Sequence, residues 1–303
     1  MSATAKKQLF KYVDIAGATA ILQNGTLLFS SPLYFNDPFD ISIQTLFGYD
    51  AFDLEAHLDE FIALSTSDEV LPEGNGSAQS DIFVAVRSAL SNASESYRAN
   101  LRKEFFAKKI WDEESLRASG AETLAHIKTA FELSGIFCAS KRFDNYLLWA
   151  HYAEKHQGAV LEFSPNVEKD SMLILAEDVE YTNNRPYLYE SHKDFLIKSM
   201  FRKTEDILAE YTKKITKTKS LEWAYEEEIR LYMPILVNLF EGKKNHCLTY
   251  HDDELASVYL GCKMPKETKD SIVDLAINRN PEARIYEMIP DPHHYKLKPK
   301  PYA

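Results

Sequence analysis

The stretch WAYEEEIRLY, residues 223–232, sets three glutamates and an arginine among aromatic residues. Glutamate is a poor strand former. Yet Ile229, Leu231 and Met233 alternate with Glu228, Arg230 and Tyr232, which is the period of a strand. The alternation predicts a strand whose buried side is marked by Ile229. Glu226, Glu228, Arg230 and Tyr232 then line the opposite side, and Glu227 drops out. Two readings stay open. A solvated face would carry a Glu–Arg pair of little energetic worth. A cleft wall would hold one working carboxylate tuned by its neighbours.

Outward from this strand, TLLFS (26–30), GIFCAS (135–140), AVLEFS (159–164), LILAEDVEYT (173–182), SVYLG (257–261) and ARIYEMI (283–289) have strand length and composition. The strand through Glu228 is expected to run over EEIRLYMPILV (227–237). SPLYFNDPFD (31–40) reads as a loop, because Pro32, Asn36, Asp37 and Pro38 disfavour regular structure. Helical patterns dominate residues 50–134; Leu124, Ile127 and Phe131, for example, recur at three and four. YLLWAHYAEKHQG (146–158) is expected to be a helix ending at Gly158. Residues 190–219 should form one long helix with a basic end, and the tail HHYKLKPKPYA should be loose. These elements predict an α+β chain, a single domain over 1–303 with a helical insert over 50–134.

Composition narrows the function classes. The net charge is -11, which disfavours a general nucleic-acid binder. Cys138, Cys247 and Cys262 are too widely spaced for a C-x-x-C metal pair. The opening MSATAKKQLFKY lacks an apolar h-region, and no run of 18 apolar residues exists, so a cytoplasmic protein away from the membrane is expected. There is no P-loop, H-E-x-x-H or G-x-S-x-G motif. His151 and His156 would stand about 140° apart on a helix, unsuited to one metal.

Five segments together resemble an uncharacterised bacterial family: LFKY (9–12), YFNDPFD (34–40), WAHYAEKHQG (149–158), WAYEEEIR (223–230) and VYLG (258–261). The order of elements also resembles the ADP-ribosyltransferase fold. That likeness implies a split antiparallel sheet cradling NAD. Lys11 or Tyr12 would take the NAD-holding place on the first strand. Phe137 and Ser140 of GIFCAS would take the places of a tyrosine and a serine on the second, and Glu226-x-Glu228 would close the triad. Lys11 stands where members carry His or Arg, and Phe137 can stack but not hydrogen-bond.

The resemblance implies an NAD-dependent ADP-ribosyltransferase-like enzyme, a toxin or phage-defence effector in type. Glu228 would stabilise the ribosyl cation and Glu226 would orient or deprotonate the acceptor. Arg230 or Lys11 would meet a diphosphate. Asn36 on its loop, and His151 and Tyr152 on their helix, would face the ligand. The alternatives are a non-catalytic binding or sensor module, and a metal-dependent nucleic-acid enzyme using Asp37, Asp40, Glu226 and Glu228. The acceptor, whether protein, nucleic acid or small molecule, is not specified. The first reading requires Lys11, Ser140 and Glu228 to line one cleft.

Overall fold

The computed structural model describes residues 7–90, 93–107, 113–234 and 246–302. It opens with β1 (Leu9–Val13), α1 (Ile15–Asn24) and β2 (Thr26–Phe29), followed by four helices: α2 (Leu54–Thr66), α3 (Ala78–Leu90), α4 (Glu95–Ala107) and α5 (Glu113–Glu132). Next come β3 (Gly135–Ser140), α6 (Tyr146–His151), β4 (Ala159–Phe163), β5 (Glu177–Asp178) and β6 (Glu180–Thr182). The chain continues through α7 (His192–Phe201), α8 (Thr204–Lys217), β7 (Thr218–Ser220) and β8 (Glu228–Met233). It closes with β9 (His246–Thr249), β10 (Leu255–Leu260), α9 (Lys266–Arg279), β11 (Arg284–Pro290) and β12 (Leu297–Pro301).

The chain divides into two compact units. The first holds residues 1–40, 130–183 and 217–303. The second holds 41–129 and 184–216, so the helices expected as an insert over 50–134 are joined by a later stretch. In the second unit Phe61, Phe83, Leu196, Met200 and Phe201 make one apolar core.

The first unit is built on an eight-stranded sheet in the order β12-β11-β10-β4-β1-β3-β8-β5. It is mixed rather than antiparallel throughout, because β10 and β11 run parallel, joined by α9. A strand–helix–strand crossover allows that direction, whereas a hairpin does not. The central strands are buried on both faces. Leu9 and Val13 of β1 enter one core with Leu161, Phe163, Val258 and residues of α1 and α9. Phe10 and Tyr12 enter another with Val160, Tyr259, Leu148 and Trp149.

Local chemistry sets the boundaries. The Asp14 carboxylate accepts from the Gly17 amide at 2.6 Å and starts α1. Gly25, at φ 64, ends it in the left-handed region that a residue without Cβ reaches cheaply. The pairing of β1 with β3 is reduced to one register pair, Phe10↔Ser140. By contrast β3 and β8 pair along six positions, which sets Cys138 opposite Arg230 and Ser140 opposite Glu228.

Several expected spans differ. The helix from 146 breaks after His151, and Glu154, Lys155 and His156 all take positive φ. Gly158 must then approach β1 closely: a Cβ there would lie 2.1 Å from the Val13 carbonyl oxygen. The long helix over 190–219 is two helices followed by a strand. LILAEDVEYT holds a 3-10 turn and two short strands. The tail is not loose, since Leu297–Pro301 pairs with β11. The end of the predicted strand, residues 235–237, lies outside the described residues. Among the described residues no helix is long and apolar enough to cross a membrane.

Candidate active site

The strand expected across residues 223–232 begins only at Glu228. Leu221–Glu226 forms a 3-10 turn, and Glu227 reverses the chain with φ 44. Glu226 therefore reaches the polar side from the turn, not by strand alternation. Ile229 and Leu231 enter the apolar core as the alternation requires. Glu228 and Arg230 face a cavity of about 410 Å³, within the usual range for small-molecule sites.

An ionic cluster forms its floor. Lys219 Nζ lies 2.5 Å from Glu226 Oε2, 3.0 Å from Glu228 Oε2 and 3.8 Å from Asp40 Oδ2. The Arg230 guanidinium donates from Nε to Glu228 Oε1 at 2.7 Å and from Nη2 to Glu228 Oε2 at 3.0 Å. It also donates to both Asp40 oxygens, at 2.9 and 2.5 Å. All five side chains are buried. Planar bidentate pairing of this kind is what a guanidinium offers and an ammonium does not.

Burial and charge act against each other here. Burial opposes the charge of Glu228, but Arg230 and then Lys219 outweigh it and hold the carboxyl at about 2. Burial raises Glu226, with Lys219 opposing, and raises Asp40, with Arg230 opposing. Burial also disfavours a charged Lys219, yet Glu228 and Glu226 beside it raise its pKa well above the ordinary lysine value. Glu228 is thus the firmly ionised carboxylate, and Glu226 the one that takes a proton more readily.

Lys11, Ser140 and Glu228 line this one cavity, with Phe10, Tyr12, Asn36, His151 and Tyr152. Their roles differ from those expected. Ser140 Oγ donates to the Glu226 carbonyl at 2.7 Å and accepts from the Arg142 amide, so it shapes the turn. The Tyr12 hydroxyl donates to the Arg142 carbonyl and accepts from the Asn145 amide, anchoring α6. Tyr152 donates to Glu226 Oε1 at 2.8 Å and accepts from Asn36 at 3.4 Å. His151 is exposed at the mouth. Lys11 Nζ donates to the Cys138 carbonyl at 2.8 Å, and burial lowers its pKa.

Two expectations are corrected. Phe137 cannot stack a ligand ring in the cavity: it points to the opposite face, buried against Phe29. Arg230 is not poised for a diphosphate, because its guanidinium is buried and engaged by Asp40 and Glu228. Sequence reasoning missed Lys219, which lay hidden in the basic run after Lys213. It also missed Asp40 as the partner of Arg230, 190 positions away. No local spacing signals either.

Among the described residues no group of three or more His, Cys, Asp or Glu side chains is placed to hold an ion. The Lys219 ammonium fills the place between Asp40, Glu226 and Glu228. Asp37 caps its own loop by accepting from the Phe39 amide.

No curated protein and no solved structure matches the chain. Residues 148–231, from the helix before Tyr152 to the strand that carries Glu228 and Arg230, match the model of a family described as Protein of unknown function (DUF2971).

Proposed function

We propose that the cavity takes NAD and that the protein transfers its ADP-ribosyl group, in the manner of the ADP-ribosyltransferase fold. The observation that carries this reading is Glu228: a buried carboxylate, ionised at any physiological pH, at the start of a strand that walls a ligand-sized cavity. Breaking the C1′–nicotinamide bond sends the electron pair to the nicotinamide and leaves positive charge on the ribose. A fixed carboxylate in a low-dielectric site stabilises that charge without reorganising. The floor sets three carboxylates against the two cations Lys219 and Arg230. Asp40 and Arg230 hold Glu228 in place. Glu226, whose pKa is raised, suits the acceptance of a proton from the incoming nucleophile. Phe10, Tyr34 and Phe35 supply aromatic wall for a nicotinamide or adenine ring. The narrow contact between β1 and β3 supports the likeness to a split sheet.

Incubation with NAD tests the reading. Wild-type protein should release nicotinamide, and Glu228→Gln should reduce the rate at least about 10²-fold. A Glu228→Gln variant as active as wild type would sink the assignment of Glu228.

A second reading is a non-catalytic binding module of the same cavity. The closed ion network favours it, because Arg230 and Lys219 already neutralise much of the carboxylate charge. Calorimetric NAD binding with no nicotinamide release would select it.

A further inference from the structure

The proton acceptor of the site lies where only a small nucleophile can reach it. Glu226 is 4% exposed. The Tyr152 hydroxyl covers its Oε1 at 2.8 Å and the Lys219 ammonium covers its Oε2 at 2.5 Å. Tyr152 is itself held by the Asn36 amide at 3.4 Å. Of the residues lining the cavity, Tyr34, Asn36 and His151 are exposed and mark its mouth. Glu228 and Glu226 share one ammonium and are both buried.

A ribosyl group placed against Glu228 would occupy the space between that floor and the mouth. A serine or arginine on a folded protein, or a base in a nucleic acid, would have to reach a carboxylate that is 4% exposed and covered on both oxygens by Tyr152 and Lys219. With the donor in a cavity of about 410 Å³, the space left beside Glu226 is small. A water molecule takes only about 30 Å³. The net charge of -11 also opposes close approach of a nucleic acid.

Resting on the reading that the cavity takes NAD, we infer that the acceptor is water and that the protein is an NAD hydrolase. The C1′–N bond breaks and its electron pair neutralises the pyridinium, releasing nicotinamide. A water oxygen forms the new C1′–O bond, and its proton passes to Glu226. The products are nicotinamide, ADP-ribose and one proton.

The experiment uses the full chain and NAD labelled in the adenylate phosphate, alone and in concentrated cell extract. Nicotinamide and free ADP-ribose should appear one to one, with no label in the protein or nucleic-acid fractions. Added methanol should divert part of the product to the methyl glycoside, since a small alcohol also fits. Glu226→Gln should slow hydrolysis about 10²-fold while calorimetry still shows NAD binding. Tyr152→Phe, which keeps the ring, gives a second reading of the same relay if Glu226→Gln does not fold. Nicotinamide release with label carried on protein or nucleic acid would overturn the water assignment and leave the NAD reading standing. No nicotinamide release in either setting would overturn both the water assignment and the ADP-ribosyl transfer reading.

Discussion

Glu228 is kept ionised in a buried place because Arg230 and Lys219 outweigh the cost of burial. Folding lowers its pKa from an ordinary 4.5 to about 2. Its contribution to stability is therefore complete above pH 4.5 and is lost as pH falls toward 2. Acid unfolding followed by circular dichroism should show wild type losing stability through that window, and Glu228→Gln should flatten the slope there. An unchanged slope would mean the carboxylate is not held as described. Lys219 is the other decisive residue, since one ammonium separates two carboxylates. Lys219→Met should cost about 3 kcal/mol in urea unfolding, because it leaves buried like charges facing each other. Adding Glu226→Gln should recover part of that loss. A double variant no better than the single one would remove Lys219 from its bridging role.

Turns, not strands, carry Glu226 and Tyr152 to the site. Glu227 occupies φ 44, and that reversal lets Glu226 and Glu228 converge on one ammonium. A residue with a Cβ is disfavoured there by about 1 kcal/mol. The exposed Glu227–Arg142 pair at 3.1 Å offsets little of it. Glu227→Gly should thus raise or preserve the melting temperature, while the β-branched Glu227→Val should lower it; the reverse order would contradict the turn. At the next element, Gly158→Ala should destabilise strongly, because its Cβ would strike the Val13 carbonyl oxygen, which is backbone and cannot swing aside. The expected continuous helix over 146–158 fails for the same reason. The chain must leave the helix through the positive-φ residues 154–156 to bring Gly158 against β1.

At the scale of the whole molecule, the division into two units, each with apolar packing of its own, predicts that unfolding is not a single step. Calorimetry should give a van't Hoff enthalpy below the calorimetric one; equal values would show that the two units melt together. The same division explains what was legible in the sequence. Strand alternation is local, so the burial of Ile229 opposite Glu228 and Arg230 could be read from ten residues. The α+β class was legible too, because strand-length apolar runs and helical periodicities are written along the chain. In GIFCAS the same alternation sets Phe137 and Ser140, three positions apart, on opposite faces, which the placing of both against one ligand did not respect. The partners of the glutamates could not be read at all. Asp40 comes from a loop 190 positions before Arg230, and Lys219 from a short strand that looked like the end of a basic helix. The sequence by itself determined that Glu228 and Arg230 share one side of their strand and that Ile229 and Leu231 enter the apolar core from the other, since both depend on neighbours one and two residues away. Only the tertiary structure decided which cations meet them, and hence which carboxylate stays charged, since pKa depends on burial and on charges brought together through space.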